Sequence, residues 1–363
     1  MRCFPPAARR PGPWPLLLLA ATAGPTPVAA APPPAPAGGP AAGEAARAAA
    51  LIQRQGPPLS GGRVRGQVAV PLERAAGGDT PVLSFRVATA VSEAAGPGPV
   101  RLLLDTGATA TMITPELATR LGLVTTPLPA GSLALEGGGE GCATLAPRRA
   151  LLPDLRLAAA GGPAEPRGDG LLLQGVEALV LPVAALPAGV EGVLGAPSLR
   201  LLPVLIEPEA SRLVLGAQAP AAFRSARERP QPPLRVPLLW RQGVPLFRLS
   251  APAGPVLALA DTGAEGLFLS RALAARLQPL AAARPLRLVG VCGEQRVEMR
   301  PFRGLSLPLP PQAAEAGATV EGIVTDNPVF GALGIEAIVG QEWLRRRSQL
   351  WRLDQDPPLL LLR

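Results

Sequence analysis

The 363-residue chain contains no histidine, no tyrosine and no lysine, so all 35 of its basic residues are arginines. These absences exclude a Ser-His-Asp or Cys-His nucleophile, a Ser-Lys pair, a Schiff-base lysine, a Walker-A lysine and a zinc site with histidine ligands. Only three cysteines are present, which leaves aspartate and glutamate as the main groups for acid–base chemistry. If the protein is a hydrolytic enzyme, its carboxylates are the first side chains to consider.

Aromatic residues and long apolar runs are scarce as well. Aromatics make up 3% of the chain, whereas 41 glycines and 47 prolines favour many short strands and turns over long helices. No run beyond the N-terminus approaches the ~20 apolar residues of a membrane span. The net charge is +8, but the arginines are scattered and have no aromatic platform beside them, so we expect a solvated surface and no nucleic-acid partner.

The N-terminus has the pattern of a targeting segment. Three arginines precede a short apolar stretch at residues 16–23, and small residues follow through Ala31. The pattern predicts a signal or leader segment over residues 1–31, export to the periplasm or cell envelope, and no stable membrane insertion after leader removal. Because the apolar stretch is short, an Ala/Pro-rich leader of a cytoplasmic protein is the alternative. Residues 32–62 are predicted to be a Pro/Ala-rich linker without a core of its own.

The rest of the chain contains an internal repeat. The stretch VRLLLDTGATATMI (100–113) is matched by VLALADTGAEGLFL (256–269), and each places Asp-Thr-Gly-Ala at the end of an apolar strand. A short helix is predicted after each, with Thr114 and Ser270 as N-caps. A repeat of this length indicates two related lobes, which agrees with a length that suits about two domains of ~150 residues.

Each half also ends in the same way. Val193-Leu194-Gly195 and Ile338-Val339-Gly340 are apolar-apolar-Gly segments that lead into a short helix. Between the Asp-Thr-Gly-Ala loop and this segment, each half holds a Gly-rich turn, at residues 135–145 and 288–299, which we predict to be a hairpin. The last residues, PPLLLLR, are expected to form a final buried strand in a sheet beneath both lobes.

Over residues 63–363 these motifs resemble the two lobes of a single-chain, retropepsin-like aspartic protease of the bacterial kind. The resemblance implies a mainly β fold of two pseudo-symmetric β-barrel lobes with a cleft between them. We predict an N-terminal lobe at 63–216, an interlobe linker at 217–234 and a C-terminal lobe at 235–363.

The resemblance also implies roles for individual residues. Asp105 and Asp261 would form the catalytic dyad, the Gly-rich hairpins would be flaps over the substrate, and the apolar-apolar-Gly segments would pack under the catalytic loops. The residues expected to support the dyad are Thr106, Gly107, Ala108, Thr262, Gly263 and Ala264; the loop-packing residues are Gly195 and Gly340; and the flap candidates are Gly138, Gly139, Glu140, Cys292, Gly293 and Glu294.

Two adjacent carboxyl groups suffice to hydrolyse a peptide bond. They cannot both ionise comfortably, so the pair holds one proton, and its charged member acts as base while its protonated member acts as acid. The predicted function is therefore an aspartic endopeptidase that needs no metal and no cofactor. Its partner would be a protein or peptide substrate, and a monomer is expected because one chain supplies both aspartates.

Several alternatives stay open. A catalytically weak or inactive peptide-binding protein of the same fold is the second reading, and two unrelated structural turns in a β scaffold are the third. Glu265 could perturb the dyad, contact a basic substrate residue or face solvent. Cys142 and Cys292 could bridge the two flaps, although unpaired thiols are the favoured expectation because the sequence does not fix their separation. The linker before residue 63 could mask the cleft in a precursor.

Overall fold

The computed structural model describes residues 45–48, 50–88, 97–129, 133–139, 142–159, 170–225, 232–307 and 319–363. The chain divides at residues 42 and 43, and all of the described residues belong to the unit formed by residues 43–363. The predicted leader and the first part of the predicted linker therefore lie outside the described residues.

In its described residues, the first half of this unit is built of short strands and three short α-helices. Its strands are β1 (Ala45–Ala48), β2 (Leu51–Gln55), β3 (Arg63–Gly66), β4 (Val68–Pro71), β5 (Glu73–Arg74), β6 (Pro81–Val87), β7 (Val100–Leu104), β8 (Thr111–Ile113), β9 (Thr125–Pro127), β10 (Ala134–Gly137), β11 (Arg148–Leu151), β12 (Leu155–Ala158), β13 (Gly170–Gln174), β14 (Glu177–Val180), β15 (Gly192–Leu194), β16 (Val204–Glu207) and β17 (Arg212–Leu215). Its helices are α1 (Pro115–Arg120), α2 (Ala196–Leu199) and α3 (Ala219–Ser225).

The second half has the same character. Its strands are β18 (Leu234–Pro237), β19 (Leu239–Arg241), β20 (Val244–Leu249), β21 (Val256–Ala260), β22 (Leu267–Ser270), β23 (Arg284–Gly290), β24 (Gly293–Phe302), β25 (Val320–Thr325), β26 (Ala337–Val339), β27 (Gln349–Arg352) and β28 (Leu359–Leu362). Its helices are α4 (Arg271–Arg276), α5 (Val329–Leu333) and α6 (Gln341–Leu344).

An eleven-stranded sheet forms the first lobe, in the order β3-β13-β12-β6-β7-β15-β8-β14-β11-β9 with β5 paired to β6. At its centre β7 runs parallel to β15, β15 runs antiparallel to β8, and β8 runs parallel to β14. Four of the five side chains of β7 and all three of β8 are buried. Such strands, covered on both faces, give the continuous apolar runs that flank the first Asp-Thr-Gly-Ala sequence.

The second lobe repeats this arrangement. Its nine-stranded sheet has the order β1-β23-β24-β25-β22-β26-β21-β20-β19. Here β21 runs parallel to β26, while β22 is antiparallel to β26 and parallel to β25. The internal repeat predicted from the sequence is confirmed, and the fold is mainly β with two pseudo-symmetric lobes, as expected.

A third sheet joins the two halves. Its six strands, β18-β28-β27-β16-β17-β4, come from both halves of the chain. Within it, Val204 lies opposite Trp351, which in turn lies opposite Leu360, and all three side chains are buried in one large apolar cluster. The predicted final strand is confirmed as β28, in the sheet that connects the lobes.

The two predicted helix caps are present. The Thr114 hydroxyl accepts a hydrogen bond from the backbone N–H of Leu117 at 3.2 Å, and the Ser270 hydroxyl accepts one from Leu273 at 3.1 Å. Each cap satisfies an N–H group that has no partner within its own helix. Both helices therefore start at the residues that the sequence indicates.

The structure differs from the sequence prediction at the end of the presumed linker. Residues 45–48 and 51–55 form β1 and β2, and the buried residues of this stretch include Ala48, Ala50, Leu51 and Ile52, each at most 1% exposed. These strands pair with the lobes, β1 with β23 and β2 with β10. Alanine-rich sequence does not predict a strand by propensity, so tertiary pairing decides the local structure here.

The first Gly-rich turn is also not a simple hairpin in the described residues. Strand β10 pairs with β2, and residues Cys142–Thr144 form a 3-10 turn. The second Gly-rich turn is the predicted hairpin, with β23 and β24 paired from Arg284↔Met299 to Gly290↔Gly293.

The predicted interlobe linker contains α3, and its residues 226–231 lie outside the described part. None of the helices in the described part of the chain has the length and apolar character that a membrane crossing requires.

Candidate active site

The two predicted catalytic aspartates occupy equivalent places in the two lobes. Asp105 follows β7 and Asp261 follows β21. The backbone N–H of Asp105 donates to the carbonyl of Leu194 at 3.1 Å, and that of Asp261 donates to Val339 at 3.0 Å. Each aspartate is thus held by the last residue of the apolar-apolar pair in its own half.

Glycine brings the two carboxyl groups together. The N–H of Gly107 donates to Oδ1 of Asp105 at 2.7 Å, and that of Gly263 donates to Oδ1 of Asp261 at 2.8 Å. A Cβ atom on Gly107 would lie 2.5 Å from Cγ of Asp261, and one on Gly263 would lie 2.2 Å from Cγ of Asp105. Each carboxyl group therefore faces the glycine of the opposite lobe at a distance that no other residue allows.

Two threonines tie the loops to each other. The N–H of Thr106 donates to the hydroxyl of Thr262 at 3.0 Å, and the N–H of Thr262 donates to the hydroxyl of Thr106 at 3.1 Å. Their own hydroxyls donate across the lobes, Thr106 to the carbonyl of Ala260 at 2.6 Å and Thr262 to that of Leu104 at 2.7 Å. These four hydrogen bonds are buried and fix one loop against the other.

The loop-packing glycines lie beneath the catalytic loops. A Cβ on Gly195 would lie 2.5 Å from the carbonyl oxygen of Ala110, and one on Gly340 would lie 2.3 Å from that of Ala264. The next residue in each half hydrogen-bonds the loop, since Ala196 donates to the carbonyl of Ala108 at 2.8 Å and Gln341 donates to Ala264 at 2.7 Å. The loops are supported from below by backbone contacts.

Burial and mutual repulsion change the acidity of the pair. Asp105 and Asp261 are each 0% exposed. Burial raises the pKa of Asp105 well above its usual range, and the charge of Asp261 raises it further. Burial also raises the pKa of Asp261, to about 6, although the interaction with the Asp105 carboxyl group and hydrogen bonds from backbone N–H groups oppose the rise. Two such groups titrate as a pair that keeps one proton over a range of pH.

The Oδ2 atom of each aspartate accepts no hydrogen bond within the described part of the chain. The Oδ1 atoms are already engaged by Gly107 and Gly263. The two Oδ2 atoms are therefore the ones that can hold a water molecule and exchange a proton with it. In the described part of the chain, no group of three or more side chains is arranged to hold a metal ion.

The two flaps, which we define by the described residues 134–139 and 142–145 and by residues 284–302, meet near Gly138 and Cys292. The N–H of Cys292 donates to the carbonyl of Gly138 at 2.9 Å, and a Cβ on Gly290 would clash with that same carbonyl. Gly139 and Gly293 both adopt positive φ, at 99° and 117°. Of the other flap candidates, Glu140 lies outside the described residues, and Glu294 is exposed on the second flap.

A disulfide joins the flaps. Cys142 and Cys292 are bonded, with their Cα atoms 4.7 Å apart. The expectation of unpaired thiols was therefore wrong, because the contact of the flap tips brings together residues separated by 150 positions. The equivalent placement of the two cysteines in the repeated halves was the available signal.

Glu265 neither touches the dyad nor faces free solvent. Its carboxylate accepts hydrogen bonds from the backbone N–H groups of Asp79 at 2.7 Å and Thr80 at 3.1 Å, and from the Thr80 hydroxyl at 2.5 Å. Asp79 and Thr80 belong to the turn before β6 in the first lobe. Glu265 is therefore a link between the lobes, a role that none of the three sequence-based alternatives included.

The sequence analysis missed one element of the site entirely. Strands β1 and β2 pair with the flaps and also contact the Asp-Thr-Gly-Ala loops: Ala48 forms a bridge with Ala264, and Leu51 forms one with Ala108. A cavity of about 890 Å³ lies instead beside the first flap, between Leu135 and Arg271, and neither aspartate lines it.

Comparison with known proteins agrees with this geometry. Residues 91–197 match the family model for aspartyl proteases, and they include the first Asp-Thr-Gly-Ala loop and Gly195. The predicted resemblance to retropepsin-like aspartic proteases is confirmed for this part of the chain. No curated protein matches the chain.

Two solved structures are similar to the chain at low identity. One is conglutin gamma, a basic 7S globulin from lupine seeds, and the other is basic 7S globulin from soybean. Each is 11% identical with a TM-score of 0.43, and each comparison covers 82% of this chain and 95% of the other. No function is inferred from a likeness of this size.

Proposed function

We propose that the protein is an aspartic endopeptidase in which Asp105 and Asp261 activate a water molecule. The observation that carries this proposal is the burial of two carboxyl groups from equivalent loops, face to face across the lobes. A loop with a purely structural role does not require a second buried carboxyl group beside its own. Two buried acids without a counter-charge are costly, and such a cost is usual at sites of catalysis.

The chemistry follows from the shared proton. The ionised carboxylate removes a proton from water, while the protonated carboxyl donates its proton to the carbonyl oxygen of the peptide bond. Hydroxyl adds to the carbonyl carbon, and the leaving nitrogen then takes a proton from the dyad as the C–N bond breaks. Asp105 and Asp261 exchange roles in one turnover, so neither is the permanent base.

The surroundings of the dyad suit this reaction. Hydrogen bonds between Thr106 and Thr262, and from Gly107 and Gly263 to the carboxylates, hold the groups in fixed orientation, which reduces reorganisation during the reaction. The flap strands β23 and β10 pair with β1 and β2, which is the way an extended peptide can pair with a strand edge. An unfolded or extended protein segment is therefore the proposed substrate.

We place the protein in an exported, oxidising compartment. The disulfide between the flaps supports this, because disulfides persist outside reducing compartments. A monomer is proposed because both aspartates come from one chain.

Hydrolysis of a diverse peptide library by the purified full-length chain, between pH 4 and 7, tests the proposal. Asp105→Asn and Asp261→Asn should each abolish cutting, whereas Asp326→Asn, which alters an exposed carboxylate outside the dyad, should not. Cutting that survives either dyad substitution would contradict the mechanism. Peptides that bind but stay intact would support the alternative, a peptide-binding protein of the same fold.

A further inference from the structure

The disulfide Cys142–Cys292 ties the two flaps to each other where they meet. Close to it, the N–H of Cys292 donates to the carbonyl of Gly138 at 2.9 Å, and a Cβ on Gly138 would lie 3.3 Å from the Cα atom of Gly290. Hydrogen bonds and van der Waals contacts of this kind can break and re-form when a flap opens, whereas a disulfide persists until it is reduced. While the bond is intact, the flap tips therefore stay together.

The two catalytic loops beneath the flaps are joined as well. Four buried hydrogen bonds connect Thr106 and Thr262 with the opposite loop. Glu265 of the second lobe binds the backbone of Asp79 and Thr80 in the first, and one six-stranded sheet takes strands from both halves of the chain. Separation of the lobes would expose buried polar and apolar groups, so it does not provide an easy entrance to the cleft.

The space between a flap and its loop has the height of one extended chain. Ala48 pairs with the second flap and forms a bridge with Ala264, and Leu51 pairs with the first flap and forms a bridge with Ala108. The two ladder partners of a residue lie on its opposite edges, and adjacent strands are about 4.8 Å apart. Each flap therefore lies roughly 10 Å from its loop at these positions, which suits a single extended polypeptide.

The flaps, the lobes and the loops thus form a closed ring around this space. The disulfide closes the ring above, the joined loops close it below, and one lobe forms each side. The lobes are related by approximate twofold symmetry, so their walls lie on opposite sides of a chain that crosses the axis. Because the intact bond leaves no gap above, such a chain can enter the ring only by its end.

We propose that, while the disulfide is intact, the protein cleaves only polypeptides that have a free end to thread beneath the flaps. This inference rests on the proposed function, and it narrows the substrate class from extended segments in general to linear, unfolded chains. The substrate takes the place of β1 and β2 as it passes the dyad. A cyclic peptide, or a loop whose two ends are held in folded structure, is not a substrate even when it contains the same bond.

A dithiol converts the ring into an open cleft. Cys142 is half-buried and lines the cavity beside the first flap, whereas Cys292 is 5% exposed. A thiolate of the dithiol attacks the sulfur of Cys142 from this cavity, and Cys292 leaves as a thiolate. The second thiol of the dithiol then displaces Cys142, so that the dithiol is oxidised to a disulfide and both cysteines are reduced. The flap tips, now held by non-covalent contacts alone, can part and admit a chain from the side.

Paired linear and head-to-tail cyclic forms of one peptide test this inference. The peptide is one from the library that the reduced full-length chain cleaves, placed in a flexible ring of roughly 30 residues. The oxidised protein should cleave the linear form with a kcat/KM at least about tenfold higher than that of the cyclic form. After reduction with dithiothreitol, the two values should lie within about twofold of each other.

Cysteine variants separate the effect of the bond from that of the reagent. The double substitution Cys142→Ser and Cys292→Ser should cleave linear and cyclic peptide about equally without any dithiothreitol. Cys3→Ser leaves the bond between the flaps intact, and it should keep the preference for the linear form. Cleavage of the linear peptide by each protein shows that its fold and its dyad are retained.

The outcomes separate the two proposals. Equal cleavage of both peptides by the oxidised protein would overturn the inference and leave the proposed function standing. A preference for the linear peptide that persists after reduction and in the double variant would overturn it too, because the bond would not be the cause. Cleavage of the linear peptide by the reduced protein alone would show that a free end does not enter the ring. A chain that cleaves no library peptide in either redox state would contradict the proposed function, and the inference with it.

Discussion

Thr106 and Thr262 exchange hydrogen bonds across the two lobes, each accepting with its hydroxyl from the backbone N–H of the other, at 3.0 and 3.1 Å. The exchange is possible because the two Asp-Thr-Gly-Ala loops approach each other along an axis of approximate twofold symmetry. It makes the geometry of the Asp105–Asp261 pair depend on both lobes together.

Thr106→Val should therefore be more harmful than Thr106→Ser. Valine leaves the N–H of Thr262 and the carbonyl of Ala260 buried without a partner, at about 1–3 kcal/mol for each group. Serine keeps both hydrogen bonds. Both the free energy of unfolding in denaturant and the rate of peptide hydrolysis should be highest for the wild type, lower for Thr106→Ser and lowest for Thr106→Val. Thr119→Val, which alters an exposed helix hydroxyl, is the matched control, and equal losses at the two sites would contradict the role of Thr106.

Gly340→Ala should lower the free energy of unfolding by roughly 1–3 kcal/mol and reduce activity. The added Cβ would lie 2.3 Å from the carbonyl oxygen of Ala264 and 2.5 Å from that of Gly266, so the catalytic loop must move. Gly331→Ala is the matched control, since no atom lies within 4 Å of its added Cβ and alanine is the better helix former. Tolerance of alanine at both positions would refute the packing argument.

The stability of the chain should depend on pH through the dyad. Both aspartates have a raised pKa in the folded state. From about pH 4, the pKa of an unfolded aspartate, to beyond pH 6, the folded state therefore binds more protons than the unfolded state. The pair therefore lowers the free energy of unfolding least at a pH below the pKa of the unfolded aspartates. The protein loses stability as the pH rises through the pKa values of the folded aspartates.

Asp105→Asn removes one of these acids and its repulsion with Asp261. The variant should show a shallower loss of stability above pH 4 and should be more stable than the wild type at pH 7. Thermal unfolding from pH 4 to 8, on chains whose intact mass is checked, measures this, with Asp326→Asn as the control. A variant less stable than the wild type at pH 7 would show that the buried pair imposes no such cost.

Loss of the disulfide should destabilise the chain without disturbing the dyad. The bond closes a loop of 150 residues, and its removal is expected to cost roughly 2–5 kcal/mol. The double substitution Cys142→Ser and Cys292→Ser should match the reduced wild type in denaturant unfolding, and Cys3→Ser should match the oxidised protein. If reduction leaves the unfolding curve unchanged, the bond does not contribute to stability.

Much of this site was predictable because its signals are local. The two Asp-Thr-Gly-Ala loops, the caps at Thr114 and Ser270 and the apolar final strand each depend on a few neighbouring residues. The repeat then placed the two aspartates in equivalent positions. The packing role of Gly195 and Gly340 was also predictable, because each glycine follows two apolar residues at the equivalent place in its half.

The features that escaped prediction depend on distant partners. Glu265 binds a turn 185 residues away, and Cys142 finds Cys292 only because the flap tips meet. The alanine-rich residues 45–48 have no strand propensity of their own and become a strand by pairing with β23. In each case the two partners are far apart in the sequence, and only the fold brings them into contact.

The most direct test of the two-aspartate account is a comparison of kcat/KM for Asp105→Asn, Asp261→Asn and the double variant, on one peptide that the wild type cleaves. If the carboxyl groups act as a unit, each single substitution should reduce the value at least about 100-fold, and the double variant should be about as active as the weaker single one. If the two losses instead multiply, or if one single variant keeps near wild-type activity, the aspartates act independently and the account is wrong.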